Sequence, residues 1–573
     1  MKWKLRPRAN GEIVAQLIKD LSTRQAFPKA LAEILVQRGI ETKEEAKGYF
    51  VPDTAHLHDP FLMTDMRKAV DRLVRAFQNQ ETLLLYGDYD VDGTTSVALM
   101  GQVMTDLGFS YEYYIPDRYK EGYGVSYQGV DYAKNQGHSL MITLDCGIKA
   151  FDKIRYANLH GIDVIICDHH NPGDNLPEAH AVLDPKRVDD TYPFKELTGC
   201  GVGIKLAQAL VQEMKVQSLP LPYEEYDPLL VYGDLLALSI ACDIVPIVGE
   251  NRILTHLGLH KLQTDPNKGI KVLMDQDAHG RSWDISDLVF FLGPRINAAG
   301  RLEHAHAAVE VLMGKEDNLF DLAAALQSSN DARKDLDRQM TEEALMTIAE
   351  SPAYQAAATT VMFQPEWHKG VIGIVASRLI ESYYRPTVLL TESEGKLVGS
   401  ARSVAGYDLY QALSQCDEHI LQWGGHKYAA GLTIEREAFE AFKARFEEVV
   451  EQSILPEQKV PLLGIETILE FDKLDARFMR LLDRMAPFGP ENRRPVFMTQ
   501  QVTIQDASIL KEKHVRLRVE KNGCSFQAIG FNLAQKWFSL PKGNIDIAYQ
   551  PVINEWNGRR SIDLRLKDFK LSL

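Results

Sequence analysis

Long apolar runs are missing from this sequence: none approaches the ~20 residues that a helix needs to span a bilayer. The opening stretch, "MKWKLRPRANGE", carries positive charge without a following apolar segment, so no secretory leader is expected. Cysteine is scarce, with six in 573 residues (Cys146, Cys167, Cys200, Cys242, Cys416 and Cys524). No two of them have CxxC spacing. That excludes a zinc ribbon and a disulfide framework, and it fits a reducing cytoplasm. No internal repeat and no low-complexity stretch interrupts the chain.

What is present is an ordinary globular composition, 45% hydrophobic and 25% charged, long enough for roughly three or four domains. The net charge of −15 argues weakly against a nucleic-acid partner, but the charge is uneven. Residues 501–573 hold 12 Lys or Arg against 7 Asp or Glu. Acidic residues gathered at a metal site with basic residues elsewhere give such a total, and so does a plain acidic enzyme.

Residues 12–50 show apolar positions at three-to-four spacing and read as helices. From about residue 80, short apolar runs alternate with helical stretches: "TLLLYGD" (82–88), "LMITLDCG" (140–147), "DVIICDHH" (163–170) and "AVLDP" (181–185). A helix over 94–108 separates the first two. The alternation predicts an α/β domain, a parallel sheet covered by helices on both faces. Sites in such sheets form at the carboxyl ends of the strands, and here those ends supply Asp88, Asp145 and Asp168-His169-His170. Residues 316–350 lack Pro and Gly and predict a long connecting helix. A smaller α/β segment follows, and 465–573 reads as short strands with turn signals, a small OB-type barrel. The expected division is an N-terminal helical segment (1–50), a catalytic domain (51–315), the helix (316–350), a second α/β domain (351–455) and a nucleic-acid-binding barrel (456–573).

The stretch "YGDYDVDG" (86–93) carries the chemistry. An isolated acidic turn is ordinarily a solvated loop. As an EF-hand loop with Asp88 at position 1 it would need a glutamate at position 12, where Leu99 stands. No GK[ST] follows its glycine, so it is not a P-loop. Taken together, Asp88, Asp90, Asp92, Asp145, His169, His170 and an acid within 233–246 form a carboxylate–imidazole set without thiolate. That set suits Mn²⁺ or Mg²⁺. It exceeds what one ion needs and matches two, with a shared carboxylate, as phosphoryl chemistry uses.

"YGDYDVDGTTS", "LDCG" and "DHH" resemble the first three motifs of the DHH phosphoesterases, and "GGHKYAAG" (424–431) resembles the Gly-rich motif of their DHHA1 domain. With "GPRINAAGRL" (293–302) and the order of segments, the resemblance covers essentially the whole chain. It points to the branch of single-strand-specific 5′→3′ exonucleases acting in recombination and repair. The resemblance implies that Asp90 and Asp92 ligate two Mn²⁺ or Mg²⁺ ions, with Asp88 as a further member. Asp145 would bridge them and His169 would ligate one. His170 would meet the scissile phosphate or the leaving oxygen, and Asp168 would orient the pair. "LSIACDIVP" favours Asp243 as the fourth-motif ligand, with Asp234 the alternative.

By the same resemblance, Arg118 binds the 5′ phosphate, and Arg295, Asn297 and Arg301 face the strand's phosphates. Ser400, Arg402 and Ser403, with Gly424, Gly425 and His426, form a surface that closes over the substrate. Tyr89, Tyr123 and Tyr428 are candidates to stack bases, although core packing is the commoner fate of such residues. The implied partners are single-stranded DNA, single-strand-binding protein and a RecQ-type helicase, for a cytoplasmic monomer without membrane contact. Two other readings are a DHH phosphoesterase acting on short oligonucleotides or cyclic dinucleotides, and a non-catalytic replication scaffold.

Overall fold

A computed structural model of the chain describes all residues except 277–282, 303–304, 316–317, 541–542, 557 and 573. The first α/β domain is built on a five-stranded parallel sheet. Its spatial order is Ser110–Tyr114, Thr82–Gly87, Leu140–Leu144, Asp163–Cys167, Ala181–Leu183. Alternation along the strands serves both faces. Leu83 and Leu85 enter one core with Val97 and Met100 of the Val91–Asp106 helix, while Leu84 and Tyr86 enter another with Val130, Ala133, Ile154 and Ala157. The chain leaves the Thr82–Gly87 strand to one side and returns on the other. The switch point of the sheet therefore lies between Thr82–Gly87 and Leu140–Leu144, where a crevice opens beyond the carboxyl ends. Sequence reading passes over the tyrosine-rich Ser110–Tyr114 strand, which lies at the sheet edge and is only partly buried.

The long helix runs Leu319–Glu350; Glu316 and Asp317, where it was expected to begin, lie outside the described residues. It leads to a second sheet of order Gln422–His426, Ala429–Ile434, Lys396–Arg402, Thr387–Ser393, Thr360–Phe363, antiparallel except for its last pair. In the C-terminal domain, Phe497–Leu510 pairs with both His514–Lys521 and Ile545–Trp556. The circuit continues through Cys524–Gly530 and Arg559–Leu571, which run parallel, and so closes a five-stranded barrel of OB connectivity.

The N-terminal helices share one core with this barrel: Leu17, Phe27 and Leu31 pack with Phe478, Phe497 and Leu517. The strand Lys2–Leu5 pairs with Leu462–Ile465. Arg252 of the first domain ties both to it. Its buried guanidinium lies 3.9 Å from the Tyr49 ring centroid and donates to the carbonyls of Tyr49 (2.9 Å), Ala486 (2.9 Å) and Met485 (3.0 Å).

Candidate metal centre

Three adjacent strand ends build the site. Gly87, Leu144 and Cys167 are in register, so the next residues, Asp88, Asp145 and Asp168, emerge side by side from strands about 4.8 Å apart. All three are buried. Asp145 takes a left-handed backbone conformation (φ 62°), and a Cβ on Gly199 would lie 2.5 Å from its Cβ. Only glycine allows the Gly199–Val216 helix to start so close.

The helix after the acidic stretch starts at Val91, three residues before the expected 94, because Asp90 caps it by accepting from Gly93 N–H (3.1 Å). Asp92 lies in the first turn, where its charge suits the helix dipole. Its carboxylate accepts from Gly199 N–H (2.7 Å), Cys200 N–H (3.0 Å) and Ser239 Oγ (2.7 Å). Sequence reasoning missed this clamp. Thr198, a typical N-cap before a Gly-rich helix start, was the available signal.

His169 Nε2 stands 3.2 Å from Asp145 Oδ1, 3.6 Å from Asp243 Oδ2 and 3.7 Å from Asp92 Oδ2. Potential ligand atoms gather as Asp88–Asp90–Asp145, Asp92–His169–Asp243 and Asp145–His169–His170. Asp145 thus belongs to two of these groups. Asp234 is elsewhere: buried in the Pro228–Cys242 helix, it accepts from the backbone N–H groups of Asn267 (2.5 Å) and Leu235 (3.0 Å). Asp243 caps the end of that helix beside the cluster.

The residues fit divalent cations by a physical criterion. Asp88 Oδ1, Asp145 Oδ1 and both ring nitrogens of His169 are buried without hydrogen-bond partners, and each such atom costs roughly 1–3 kcal/mol if left so. Burial, and then mutual repulsion, raise the carboxyls of Asp88, Asp90, Asp145 and Asp243 above the usual range. Burial pulls His169 down to about 4, which keeps the neutral imidazole that a metal requires. Burial also opposes charge on His170, but the hydrogen bond and charge of Asp168 outweigh it and hold His170 at about 9. Asp168 is locked in turn: it accepts from His170 Nδ1 (2.8 Å) and from the backbone N–H groups of His169 (2.7 Å) and Ile148 (2.9 Å).

A pH dependence follows. A carboxyl whose folded pKa is raised holds its proton above the unfolded value of about 3.9. It contributes stability that is present below that value and lost as pH rises through the folded pKa. Cations need the deprotonated form, so metal binding expels protons and apparent affinity rises with pH. Calorimetric titration with Mn²⁺ in two buffers of different ionisation enthalpy should show net proton release at pH 7. Equal heats in both buffers would contradict it.

Beside the acidic cluster lies a cationic one. Burial, then the like charges of Arg118, Arg333 and Arg402, pull Arg301 down to about 10; burial and Arg118 likewise lower Arg402. Among the described residues, none of Arg118, Arg301 and Arg402 forms a direct ion pair, although the charge of Arg118 reaches Asp88 and favours its ionised form. Arg118 lies over the Tyr89 ring (4.8 Å), Arg402 donates to Ser400 Oγ (2.8 Å), and Arg301 donates to Gly370 O (2.9 Å) across the two α/β domains.

The other expected contacts are distributed around this cluster. Arg295 turns onto Phe291, 3.5 Å from its ring centroid, and Asn297 is half-buried on the Gly293–Leu302 helix. Gly424, Gly425 and His426 lie exposed on the edge strand of the second sheet, and Ala429 stands in register with both His426 and Arg402. Ser403 donates to Tyr407 O (3.0 Å), and Tyr428 is exposed.

Residues 82–233 match the DHH family N-terminal domain, 354–452 the DHHA1 domain and 465–568 the RecJ OB domain. The single-stranded-DNA-specific exonuclease RecJ of Bacillus subtilis is 34% identical over 579 residues, covering 100% of this chain and 71% of the relative.

The chain belongs to the RecJ family.

The RecJ of Escherichia coli is 34% identical over 88% of this chain and 89% of its own. A crystal structure of RecJ in complex with Mn²⁺ from Thermus thermophilus aligns with a TM-score of 0.84 at 26% identity, covering 100% of this chain and 80% of that one. A RecJ exonuclease bound to manganese aligns at 0.60 and 32% identity, over 71% of this chain and 99% of the other. Mn²⁺ and Mg²⁺, the latter in a second Thermus thermophilus RecJ structure, are the ions that the carboxylate–imidazole set suits.

Proposed function

We propose that this RecJ-family chain is a single-stranded-DNA-specific exonuclease that hydrolyses from the 5′ end and releases 5′ mononucleotides. The observation that carries the reading is the adjacency of two clusters. One is a carboxylate–histidine set with orphaned ligand atoms, and the other is a group of arginines that form no direct ion pair among the described residues. The first suits two cations and the second suits a terminal phosphate. Asp88, Asp90, Asp92, Asp145, His169 and Asp243 would hold the cations. When bound, divalent ions supply Lewis acidity toward water and phosphate.

The chain's own residues do the rest. Arg118, Arg301, Arg402 and Ser400 anchor the 5′ phosphate, which fixes polarity and the length of the released unit. His170, cationic at neutral pH and oriented by Asp168, holds its proton for the departing 3′ oxygen. The barrel carries the excess positive charge of the C-terminal segment and tracks the strand, so binding is salt-sensitive. The protein acts as a cytoplasmic monomer, with single-strand-binding protein and a RecQ-type helicase as partners. No helix among the described residues is long and apolar enough to cross a membrane.

The test gives the purified protein, with Mn²⁺, 5′-phosphorylated single strands, duplexes, RNA and cyclic dinucleotides. Mononucleotides from single-stranded DNA alone are expected; cleavage of duplex, or of dinucleotides only, would refute the reading. Arg118→Ala should raise KM roughly 10- to 100-fold on a 5′-phosphorylated strand, since a charge-assisted hydrogen bond contributes about 1.5–3 kcal/mol. An unchanged KM would remove Arg118 from the phosphate site.

A further inference from the structure

Tyr123 is an aromatic residue at the site that the mechanism above leaves idle. It stands between Gly122 (φ 86°) and Gly124 (φ 78°), left-handed positions that a larger residue resists. The double turn has two consequences. Gly124 O accepts from the buried Tyr86 hydroxyl (2.9 Å) and pins the loop to the sheet. Tyr123 swings outward to the mouth of the crevice, with more than half of its surface exposed.

There its hydroxyl meets the His170 imidazole, 3.1 Å from Nε2 and 3.3 Å from Nδ1. Asp168 accepts the Nδ1 proton at 2.8 Å, and the near-equal distances place the Tyr123 hydroxyl against the face of the imidazole ring, which stands edge-on to the tyrosine ring. The hydroxyl also lies 3.4 Å from the Asp145 carbonyl oxygen. Its ring packs edge-on to Tyr89, which in turn lies under the Arg118 guanidinium. An exposed tyrosine in a glycine-flanked loop has no packing reason to be so constrained.

We infer that Tyr123 is a positioning residue for His170. Asp168 holds the ring edge at Nδ1 while the Tyr123 hydroxyl lies against its face, so rotation about the Cβ–Cγ bond is opposed from two directions. The Tyr89–Arg118 stack couples that contact to the phosphate anchor. A side chain held at one end only retains rotational freedom, and a misplacement near 1 Å in an active site can cost on the order of 100-fold. The inference rests on the exonuclease reading for its rate consequence but not for the contact itself.

The test compares Tyr123→Phe, which keeps the ring, with Tyr123→Ala. Single-turnover hydrolysis of a 5′-phosphorylated strand should fall about 10- to 100-fold in Tyr123→Phe and no further in Tyr123→Ala. Strand binding by Tyr123→Phe in EDTA should stay within about twofold. In the metal-free protein, diethylpyrocarbonate should modify His170 faster in Tyr123→Phe than in wild type, located by peptide mass spectrometry. A Tyr123→Phe variant at wild-type rate with Tyr123→Ala impaired would show that the ring acts by stacking, and it would overturn the inference. Unchanged His170 reactivity would overturn it too. If wild type releases no mononucleotide, the exonuclease reading fails, and the modification arm still decides the contact.

Discussion

Asp145→Asn should lower hydrolysis on the order of 10³-fold or more while raising the melting temperature of the metal-free protein. The activity loss follows from position. Among the described residues, Asp145 is the one shared between the Asp88–Asp90 side and the His169–His170 side of the cluster. Divalent ions would contribute several kcal/mol of charge stabilisation when bound, and an amide would be a weaker ligand than a carboxylate at the shared position. The stability gain follows from electrostatics. Burial and then Asp92, Asp90, Asp243 and Asp88 disfavour its ionised form, so removing the acid relieves an unfavourable interaction. Asparagine also tolerates the left-handed backbone at this position better than most residues. Thermal melts in EDTA and a nuclease assay in Mn²⁺ check both halves. Near-normal turnover would refute the bridging role, and a lower melting temperature would refute the repulsion argument.

Legibility of the site from sequence tracked how local each cause was. The α/β and barrel classes followed from periodicity, and the strand-end acids followed from where the apolar runs stop. What stayed hidden depended on contacts across the chain. The acidic stretch gave no sign that Asp92 is clamped by residues 199, 200 and 239, because that clamp exists only once two helices meet. The choice between Asp243 and Asp234 was likewise open. Both sit near one helix, and only the fold shows Asp234 spent on the Asn267 backbone while Asp243 faces His169. The Ser110–Tyr114 strand escaped because an edge strand with tyrosines on both faces lacks clean alternation. Tyr123 could be named as exposed aromatic chemistry, but its grip on His170 depends on a loop returning over a strand end.

Lys205→Met should destabilise the protein by about 3–5 kcal/mol, the range for breaking a buried ion pair from one side. Lys205 and Glu250 are each about 1% exposed and lie 2.7 Å apart. Lys205 also donates to His58 O (3.1 Å), and Glu250 accepts from His58 N–H (2.9 Å) and the Tyr192 hydroxyl (2.7 Å). Removing the lysine leaves a buried carboxylate with two neutral donors and no counter-charge, which explains the size of the effect. Adding Glu250→Gln should recover more than half of the loss, because an amide still accepts from His58 and needs no cation. Chemical denaturation of the two single variants and the double variant measures this coupling; strictly additive losses would refute it. The pair bears on the metal centre because Lys205 lies in the Gly199–Val216 helix, whose first N–H groups hold Asp92. Once folded, however, Lys205→Met should bind Mn²⁺ as wild type does, since the clamp is made by backbone at residues 199 and 200. A matching loss of metal affinity below the melting transition would show instead that the ion pair sets the clamp's geometry.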